Sequence, residues 1–402
     1  MPCFTRSRHL ASRGALALTM IAALALASGC ATPAPPPPPV PESVAPLLHD
    51  EAFGAPAQPV KAEDVFALDD EMRHYIDHGL ARHLRRAGRQ QALMEAMYDR
   101  NLLKLEYDGG ITRNARQAFQ ARSGNCLSLV ILTAALAQHL SLPVTFQSVE
   151  VEDSWSRSQG LMFVAGHVNL VIGERLLDRG RGFGTSFNMT VDFLAPQDLR
   201  RRHVTPVNEQ RVLAMYFNNR AAETLATGDL DQAYAFARAA VLKDPGFPSA
   251  QITLGVIYQQ RGLLASAEAA FRHALRAQPN NTQALADLSS TLSAMGREAE
   301  ARQLRLELAR LEAFPPFHFF DLGKAAVQRG DHEAAVAFLK RELSRDPDYH
   351  EVHFWLAQAY RGIGDSRSAR RHLQQAVANS TTRSDHDLYA AKLDRLQGLA
   401  RP

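Results

Sequence analysis

Cys126 is the cysteine of the predicted folded region that could serve as a nucleophile. Of the three cysteines in the sequence, Cys3 lies within an apolar N-terminal leader and Cys30 directly follows it. A Ser-Gly-Asn sequence stands before Cys126, and a long apolar segment that predicts a helix follows it. The serine or the asparagine could cap this helix, so that Cys126 would lie in its first turn, where free amides and the helix dipole favour a thiolate. The alternative is a buried and unreactive cysteine.

A thiol nucleophile requires a base and a group that orients the base. His167 is the candidate base, since it lies on a predicted strand after the helix of Cys126. Asp192 lies on a later predicted strand and could hold the imidazole, whereas Asp178 is nearer to the histidine in sequence. We favour Asp192, with residues 180–187 as an inserted loop, and keep Asp178 as the alternative.

Helices come first in the domain that must position these residues, and strands follow. Apolar residues at three- and four-residue steps predict helices over 62–105 and 112–121, and a third helix runs from Cys126 to about Leu140. Beyond it, strands are predicted at 144–151, 161–172, 175–178 and 188–193. The sequence therefore predicts an α+β domain over residues 61–205, with an antiparallel sheet after its helices.

This order of elements resembles that of the transglutaminase-like, papain-related proteins over about residues 65–200. The resemblance rests on a helix that begins at Gly-x-Cys, a strand that carries His167 and a later strand that carries Asp192. It implies that Cys126 is the nucleophile, His167 the general base and acid, and Asp192 the carboxylate that holds the imidazolium. The implied activity is that of a cysteine peptidase or acyltransferase acting on amide bonds of proteins or peptides. The alternative is a folded module whose residues are catalytically idle.

A 34-residue period dominates the C-terminal half of the chain. Alanine follows each periodic glycine by five residues and a small residue precedes it by seven; the glycines are at 228, 262, 296, 330 and 364. Small residues let paired helices pack closely, and glycine permits the turn between them. The period resembles that of the tetratricopeptide repeat, which implies a solenoid of five repeats over 206–383, a capping helix at 384–402 and a groove that binds a protein or peptide. Tyr258, Trp355 and Tyr360 either anchor that ligand or pack between helices.

Residues 1–29 have the composition of a secretory signal peptide. Three arginines precede an apolar run of 13 residues, which is shorter than the ~20 residues of a spanning helix. Small residues then lead to Cys30, a pattern that resembles the bacterial lipoprotein signal. The resemblance implies that Cys30 is lipidated and, because Ala31 is not an aspartate, that the protein is anchored in the outer membrane of a Gram-negative bacterium, facing the periplasm. The proline-rich residues 30–60 would form an extended tether. An ordinary secretory signal is the alternative.

Charge and motif spacing argue against several other classes of function. Of the 45 basic residues, three arginines lie in the leader, and the remaining 42 equal the 42 acidic residues in number. The charge therefore gives no reason to expect a nucleic-acid partner. The sequence has no His-Glu-x-x-His, paired-cysteine or calcium-loop spacing. We therefore expect no metal, no cofactor and no nucleic acid, but a protein or peptide partner and a membrane surface.

Overall fold

The computed structural model describes residues 43–99, 101–158, 161–173, 188–193, 204–312 and 314–398, with only the backbone described at 150–158, 161–166 and 397–398. The leader, Cys30, Asp178 and the loop at 180–187 lie outside the described residues. No helix in the described part of the chain is both long enough and apolar enough to span a membrane.

Short helices open the N-terminal domain within residues 62–105, which were expected to be helical. They are α1 (Asp70–His74, continued by a wider turn through Tyr75–Gly79), α2 (Ala81–Ala87) and α3 (Arg89–Tyr98). Asp69 caps α1, since its Oδ1 accepts a 2.9 Å hydrogen bond from the Met72 amide. Gly88 separates α2 from α3 with a φ of 81°. Apolar spacing indicates which residues of this region are buried, but caps and glycine decide where each helix ends.

A central helix and its neighbours follow. They are β1 (Glu106–Tyr107), α4 (Ala115–Ala121), β2 (Ser123–Gly124) and α5 (Cys126–His139), and β1 pairs with β2 in parallel. Asn114 caps α4 and Asn125 caps α5, each accepting a 2.9 Å bond from an amide three residues later. Every side chain of α5 from residue 127 to residue 137 is buried. This helix therefore forms the centre of the domain core, since a surface helix would keep a polar face.

An antiparallel sheet packs against α5. Among the described residues its strands are β3 (Val144–Ser158), β4 (Leu161–Ile172), β5 (Met189–Val191) and β6 (Val204–Val207), in the order β5-β4-β3-β6. The strand expected at 144–151 extends seven residues further, and β6 was not predicted. The strand expected at 175–178 lies outside the described residues. Among the described strands, β4 pairs with β5, and Leu170 of β4 lies opposite Val191 of β5.

Helical hairpins make up the C-terminal half of the chain. Their first helices are α6 (Glu209–Ala226), α8 (Pro248–Arg261), α10 (Thr282–Ala294), α12 (His318–Arg329) and α14 (His350–Ile363). Their second helices are α7 (Leu230–Lys243), α9 (Leu264–Ala277), α11 (Glu298–Leu311), α13 (His332–Leu343) and α15 (Ser366–Asn379), and α16 (Arg383–Gly398) follows. The five periodic glycines have φ values from 77° to 88°, at the turns within the hairpins. At Gly255 a Cβ atom would lie 2.5 Å from the Phe271 ring, which explains the small residue at this point of the period.

The buried core is divided between the third and fourth hairpins. One core joins the N-terminal domain to the first three hairpins and ends at Ala301. A second core begins at Phe317 and continues through α14. Phe317 itself has a φ of 62°, a left-handed conformation that is rare for a bulky residue. Apolar side chains around this junction are exposed by 37–59%, namely Leu306, Leu311, Phe314 and Leu322.

Residues 43–58, expected to belong to an extended tether, instead fold against the helical array. We call this segment the strap. Val44 and Leu47 are each 6% exposed and belong to the first core. The Phe53 ring stacks on Tyr234 of α7, with the ring centres 3.9 Å apart. Proline content predicts the lack of long helices here, but it does not indicate that the apolar residues between the prolines are buried.

The end of the array returns to the N-terminal domain. The Gly109 amide, in the loop after β1, donates a 2.7 Å hydrogen bond to the Thr381 carbonyl, between α15 and α16. A Cβ atom at Gly109 would lie only 3.0 Å from the same oxygen, so the close approach depends on glycine. At the other end of the array, the Thr112 amide donates a 2.7 Å bond to Glu223 of α6. Both ends of the array therefore hold the loop between β1 and α4.

Candidate functional site

His167 and Asp192 are in direct contact on neighbouring strands. The His167 Nε2 atom lies 2.7 Å from Asp192 Oδ1, and the two side chains are only 4% and 6% exposed. His167 belongs to β4, whereas Asp192 directly follows β5, which pairs with β4. This pairing brings the carboxylate to the histidine across 25 residues of sequence.

Asn169 binds the second carboxylate oxygen of Asp192. Its Nδ2 donates a 2.9 Å hydrogen bond to Asp192 Oδ2, and the residue is 4% exposed. Asn169 stands two residues after His167, so both side chains leave the same face of β4. This residue was not predicted, although the His-x-Asn alternation on a predicted strand was an available signal. The Tyr98 hydroxyl adds a long contact of 3.4 Å to the Asp192 carbonyl.

Cys126 is the first residue of α5 and is partly exposed. Asn125 precedes it, and its Oδ1 accepts hydrogen bonds from both the amide and the hydroxyl of Ser128, at 2.9 and 2.7 Å. The Cys126 amide is among the first N–H groups of the helix, which have no acceptor within the helix. Such an amide can bind an oxygen atom placed beside the sulfur.

The first hairpin supports the N terminus of α5. Asn125 Nδ2 donates a 2.8 Å hydrogen bond to the Thr112 hydroxyl, and Asn219 of α6 lies 3.3 Å from the same oxygen. Because Thr112 also donates its amide to Glu223, polar contacts connect the array to the residue before Cys126. Thr112 was not predicted, and no local feature of the sequence distinguishes it.

The pairing of β1 with β2 places Tyr107 near Cys126. Tyr107 lies opposite Gly124, and a Cβ atom on Gly124 would lie 2.6 Å from the Ser128 Cβ, so the strand approaches α5 closely only with glycine there. Burial and the negative charge of a Cys126 thiolate raise the pKa of Tyr107. Gly109, in the loop after β1, binds Thr381. The end of the array therefore lies close to the residues around the Cys126 thiol.

The charges around His167 favour its imidazolium form. Burial alone would lower the pKa of His167, but the hydrogen bonds and charges of Asp192 and Cys126 outweigh it and raise the pKa to about 9. Because the carboxylate holds Nε2, Nδ1 is the nitrogen left to exchange a proton with the thiol. The arrangement can therefore hold a thiolate beside an imidazolium, with a helix amide nearby for a developing oxyanion.

The aromatic residues of the array serve mainly in packing. Tyr258 is fully buried, and the Tyr360 ring stacks on His372 with the ring centres 5.5 Å apart. Trp355 is partly buried, and the Lys324 ammonium lies 5.4 Å from its ring centre. In the described ranges, no three His, Cys, Asp or Glu side chains are placed to hold a metal ion.

Comparison with known proteins gives matches in the helical array. Residues 248–281 and 326–393 match the tetratricopeptide repeat family. A TPR repeat-containing protein of Pseudomonas aeruginosa is 33% identical over 82 residues, which are 19% of this chain and 78% of that protein. Cellulose synthase operon protein C of Pseudomonas fluorescens is 32% identical over 158 residues, 37% of this chain and 12% of that protein. Cellulose synthase 1 operon protein C of Komagataeibacter xylinus is 30% identical over 152 residues, 36% of this chain and 11% of that protein. The chain thus spans 12% or less of the length of these two relatives.

Solved structures resemble the chain only weakly as whole molecules. YrrB, a TPR protein with an unusual peptide-binding site, is 20% identical with a TM-score of 0.25, over 45% of this chain and 92% of its own. PilF of Pseudomonas aeruginosa is 20% identical with a TM-score of 0.27, over 47% of this chain and 94% of its own. Scores of this size carry no argument about function.

Proposed function

The chain belongs to the tetratricopeptide repeat family, and we propose that it binds a protein or peptide partner through its repeats. The observation that carries this proposal is the array of helical hairpins, which leaves an extended surface for a partner. The exposed apolar side chains near the junction of the third and fourth hairpins support it, since they offer apolar surface to a partner. Leu322 of α12 is one of these, with 38% of the residue exposed.

Partner capture by variants of the full chain tests this proposal. Proteins of the cell envelope are cross-linked to the wild type, to Leu322→Asp and to Leu388→Asp, a control leucine on α16 that is 47% exposed. We expect Leu322→Asp to recover at least tenfold less of the partner, while Leu388→Asp and Cys126→Ala recover as much as the wild type. Equal recovery by Leu322→Asp and the wild type would contradict a role for this part of the array.

We propose as a second function a thiol-dependent acyl transfer at Cys126, which the contact between His167 and Asp192 supports. The Cys126 thiolate would attack an amide carbonyl, and the Cys126 amide would stabilise the oxyanion that forms. His167 would then donate its proton to the leaving amine as the carbon–nitrogen bond breaks, leaving a thioester on the sulfur. Water or a second amine would attack the thioester and release the product, and His167 would accept the proton of the attacking group.

A general protein substrate distinguishes the outcomes of this second function. The protein is incubated with casein and the fluorescent amine dansylcadaverine. Attachment of the amine to casein would demonstrate acyl transfer, and casein fragments would demonstrate hydrolysis. We expect either product with the wild type and neither with Cys126→Ala. Equal product from the wild type and Cys126→Ala would exclude this second function. A lack of product from both proteins, with casein and with the captured partner, would exclude it too, and binding would remain as the one function.

We further propose that a lipid on Cys30 anchors the protein in the outer membrane, facing the periplasm. The support is the leader sequence alone, with its short apolar run before Cys30. Labelling of growing cells with a palmitate analogue tests the proposal, because lipidated protein would carry the label and fractionate with the outer membrane. Cys30→Ser should lose both the label and the membrane association. Label retained by Cys30→Ser would refute it.

A further inference from the structure

The strap is held against α7 and α8 by contacts of the kind that bind a peptide. Two of its side chains act as anchors. Asp50 accepts two hydrogen bonds from the Arg238 guanidinium, at 2.7 and 3.0 Å, and a third from the Tyr234 hydroxyl at 2.7 Å. Phe53 lies flat on the Tyr234 ring, and the Arg261 guanidinium lies 5.0 Å from the centre of the Phe53 ring. An acidic residue and an aromatic residue three positions later are thus recognised together.

Other side chains of the same two helices bind the main chain of the strap. Gln232 accepts a 2.6 Å bond from the Gln58 amide and donates a 3.1 Å bond to the Gln58 carbonyl. Further bonds of 2.6–3.2 Å join backbone groups of the strap to these helices: Leu47 O to Tyr258, Ala52 O to Arg261 and Gly54 N to Asp231. These contacts involve no side chain of the ligand, so they accept any peptide whose backbone follows that of the strap, with its short helical turns at Ala45–Leu47 and Asp50–Ala52.

We propose that this groove is a binding site for linear peptides that carry an acidic residue three positions before an aromatic one. The strap is the occupant in the structure, and a partner segment with the same pattern would exchange with it. The inference rests on the proposed binding of partners by the repeats, and it assigns a place and a ligand chemistry to that binding. Arg238 requires the acidic residue, and the face of Tyr234 requires the aromatic one. Gln232 fixes the main-chain path after them, because it binds both the amide and the carbonyl of Gln58.

Covalent attachment explains why the strap occupies the groove. Residues 59–69 connect the strap to α1 of the same folded body, and a segment attached through so short a linker is presented at an effective concentration on the order of millimolar. A free peptide that makes the same contacts must therefore exceed that concentration to displace an intact strap. Once the anchors of the strap are removed, the same peptide meets an open groove and binds at its own affinity.

Peptide binding to the full chain tests the inference. The probe is a fluorescent peptide with the sequence of residues 43–58, and binding is measured by fluorescence anisotropy. We expect saturable binding to the variant that combines Asp50→Ala with Phe53→Ala, and at least tenfold weaker binding to the wild type. Adding Arg238→Ala to that variant should weaken binding at least tenfold. A probe peptide that carries both alanines should fail to bind either protein.

No binding to a folded strap variant would overturn the inference, as would equal binding after Arg238→Ala. If the strap variant does not fold, hydrogen exchange on the wild type can still refute the inference. The amides of His49, Gly54 and Gln58 donate to Tyr234, Asp231 and Gln232, so excess peptide should speed their exchange, and unchanged rates would refute displacement. A negative result here combined with loss of partner capture by Leu322→Asp would exclude this groove while leaving partner binding by other repeats intact.

Discussion

Replacing Asp192 with asparagine should lower the pKa of His167 by more than one unit and slow the alkylation of Cys126. Asparagine keeps the shape of the side chain and removes its charge. In the wild type the imidazolium stays protonated up to a pH of about 9, so the Cys126 sulfur keeps a cationic neighbour at neutral pH. In Asp192→Asn the imidazolium loses its proton at a lower pH, and the sulfur loses that neighbour.

The size of this effect follows from the contacts of His167. Its pKa rises from an ordinary value of about 6.5 to about 9, which corresponds to roughly 3 kcal/mol. Burial opposes this change, so Asp192 and Cys126 together contribute more than the net figure. The hydrogen bond to Asp192 is the largest single contribution that raises the pKa. An opposite charge in contact typically shifts a pKa by about one to three units, so removing it should lower the pKa of His167 by more than about one unit, or about tenfold in the stability of the ion pair.

The assay is the alkylation rate of Cys126 by iodoacetamide between pH 5 and pH 10, with the Cys126 peptide quantified by mass spectrometry. We expect the wild type to react at pH 6 far faster than free cysteine, and His167→Ala to lose this excess. Asp192→Asn should react about tenfold more slowly than the wild type at pH 7. Tyr98→Phe is the matched control, because the Tyr98 hydroxyl contacts the backbone carbonyl of Asp192. Superimposable profiles for Asp192→Asn and the wild type would refute the assignment of Asp192.

Acid should destabilise the last hairpin, because burial lowers the pKa of His353 and lowers that of His372 to about 4. Both rings are neutral in the folded protein, with their Nδ1 atoms 3.0 Å apart. The unfolded chain therefore binds more protons, and the free energy of unfolding falls as the pH drops from about 6.5 to about 4. Urea midpoints should fall over this range, and they should fall less in His372→Gln. Gly124→Ala should lower the free energy of unfolding by about 1–3 kcal/mol in urea denaturation, because the new Cβ meets Ser128. Gly88→Ala is the comparison: its Cβ has open space but its φ is positive, so it measures backbone strain without a clash. The division of the core at Phe317 predicts two calorimetric transitions, and a single transition would indicate that the two cores unfold together.

Local sequence patterns predicted many of the elements and one of their contacts. The periodic glycines identify the turns of the hairpins, because only glycine adopts their positive φ at little cost. Asn125 identifies the start of α5, because an asparagine side chain at this position accepts a hydrogen bond from an amide of the first turn. His167 and Asp192 were assigned to separate strands by apolar alternation. The structure brings them into contact because β5, and no nearer strand of the described residues, follows β4 in the sheet.

Contacts over long sequence separations could not be predicted in this way. Asp50 and Arg238 are 188 residues apart, and neither lies in a pattern that depends on the other. The bond from Gly109 to Thr381 uses backbone atoms, which every residue possesses. Asn169 differs from these, since its place two residues after His167 is visible in the sequence, but its role depends on the position of Asp192. Periodicity indicates which face of an element is buried, and it does not indicate which distant element covers that face.

The strap also imposes an order on biosynthesis. The Leu47 carbonyl binds Tyr258, which lies 211 residues later in the chain. A ribosome that adds 5–20 residues per second synthesises that stretch in roughly 10–40 s. During this interval Val44 and Leu47 have no groove to enter, so the nascent chain carries them unburied. The strap can settle only after the second hairpin has been translated, and the contact of Gly109 with Thr381 forms later still. A chaperone that binds short apolar segments therefore has a long opportunity at the strap.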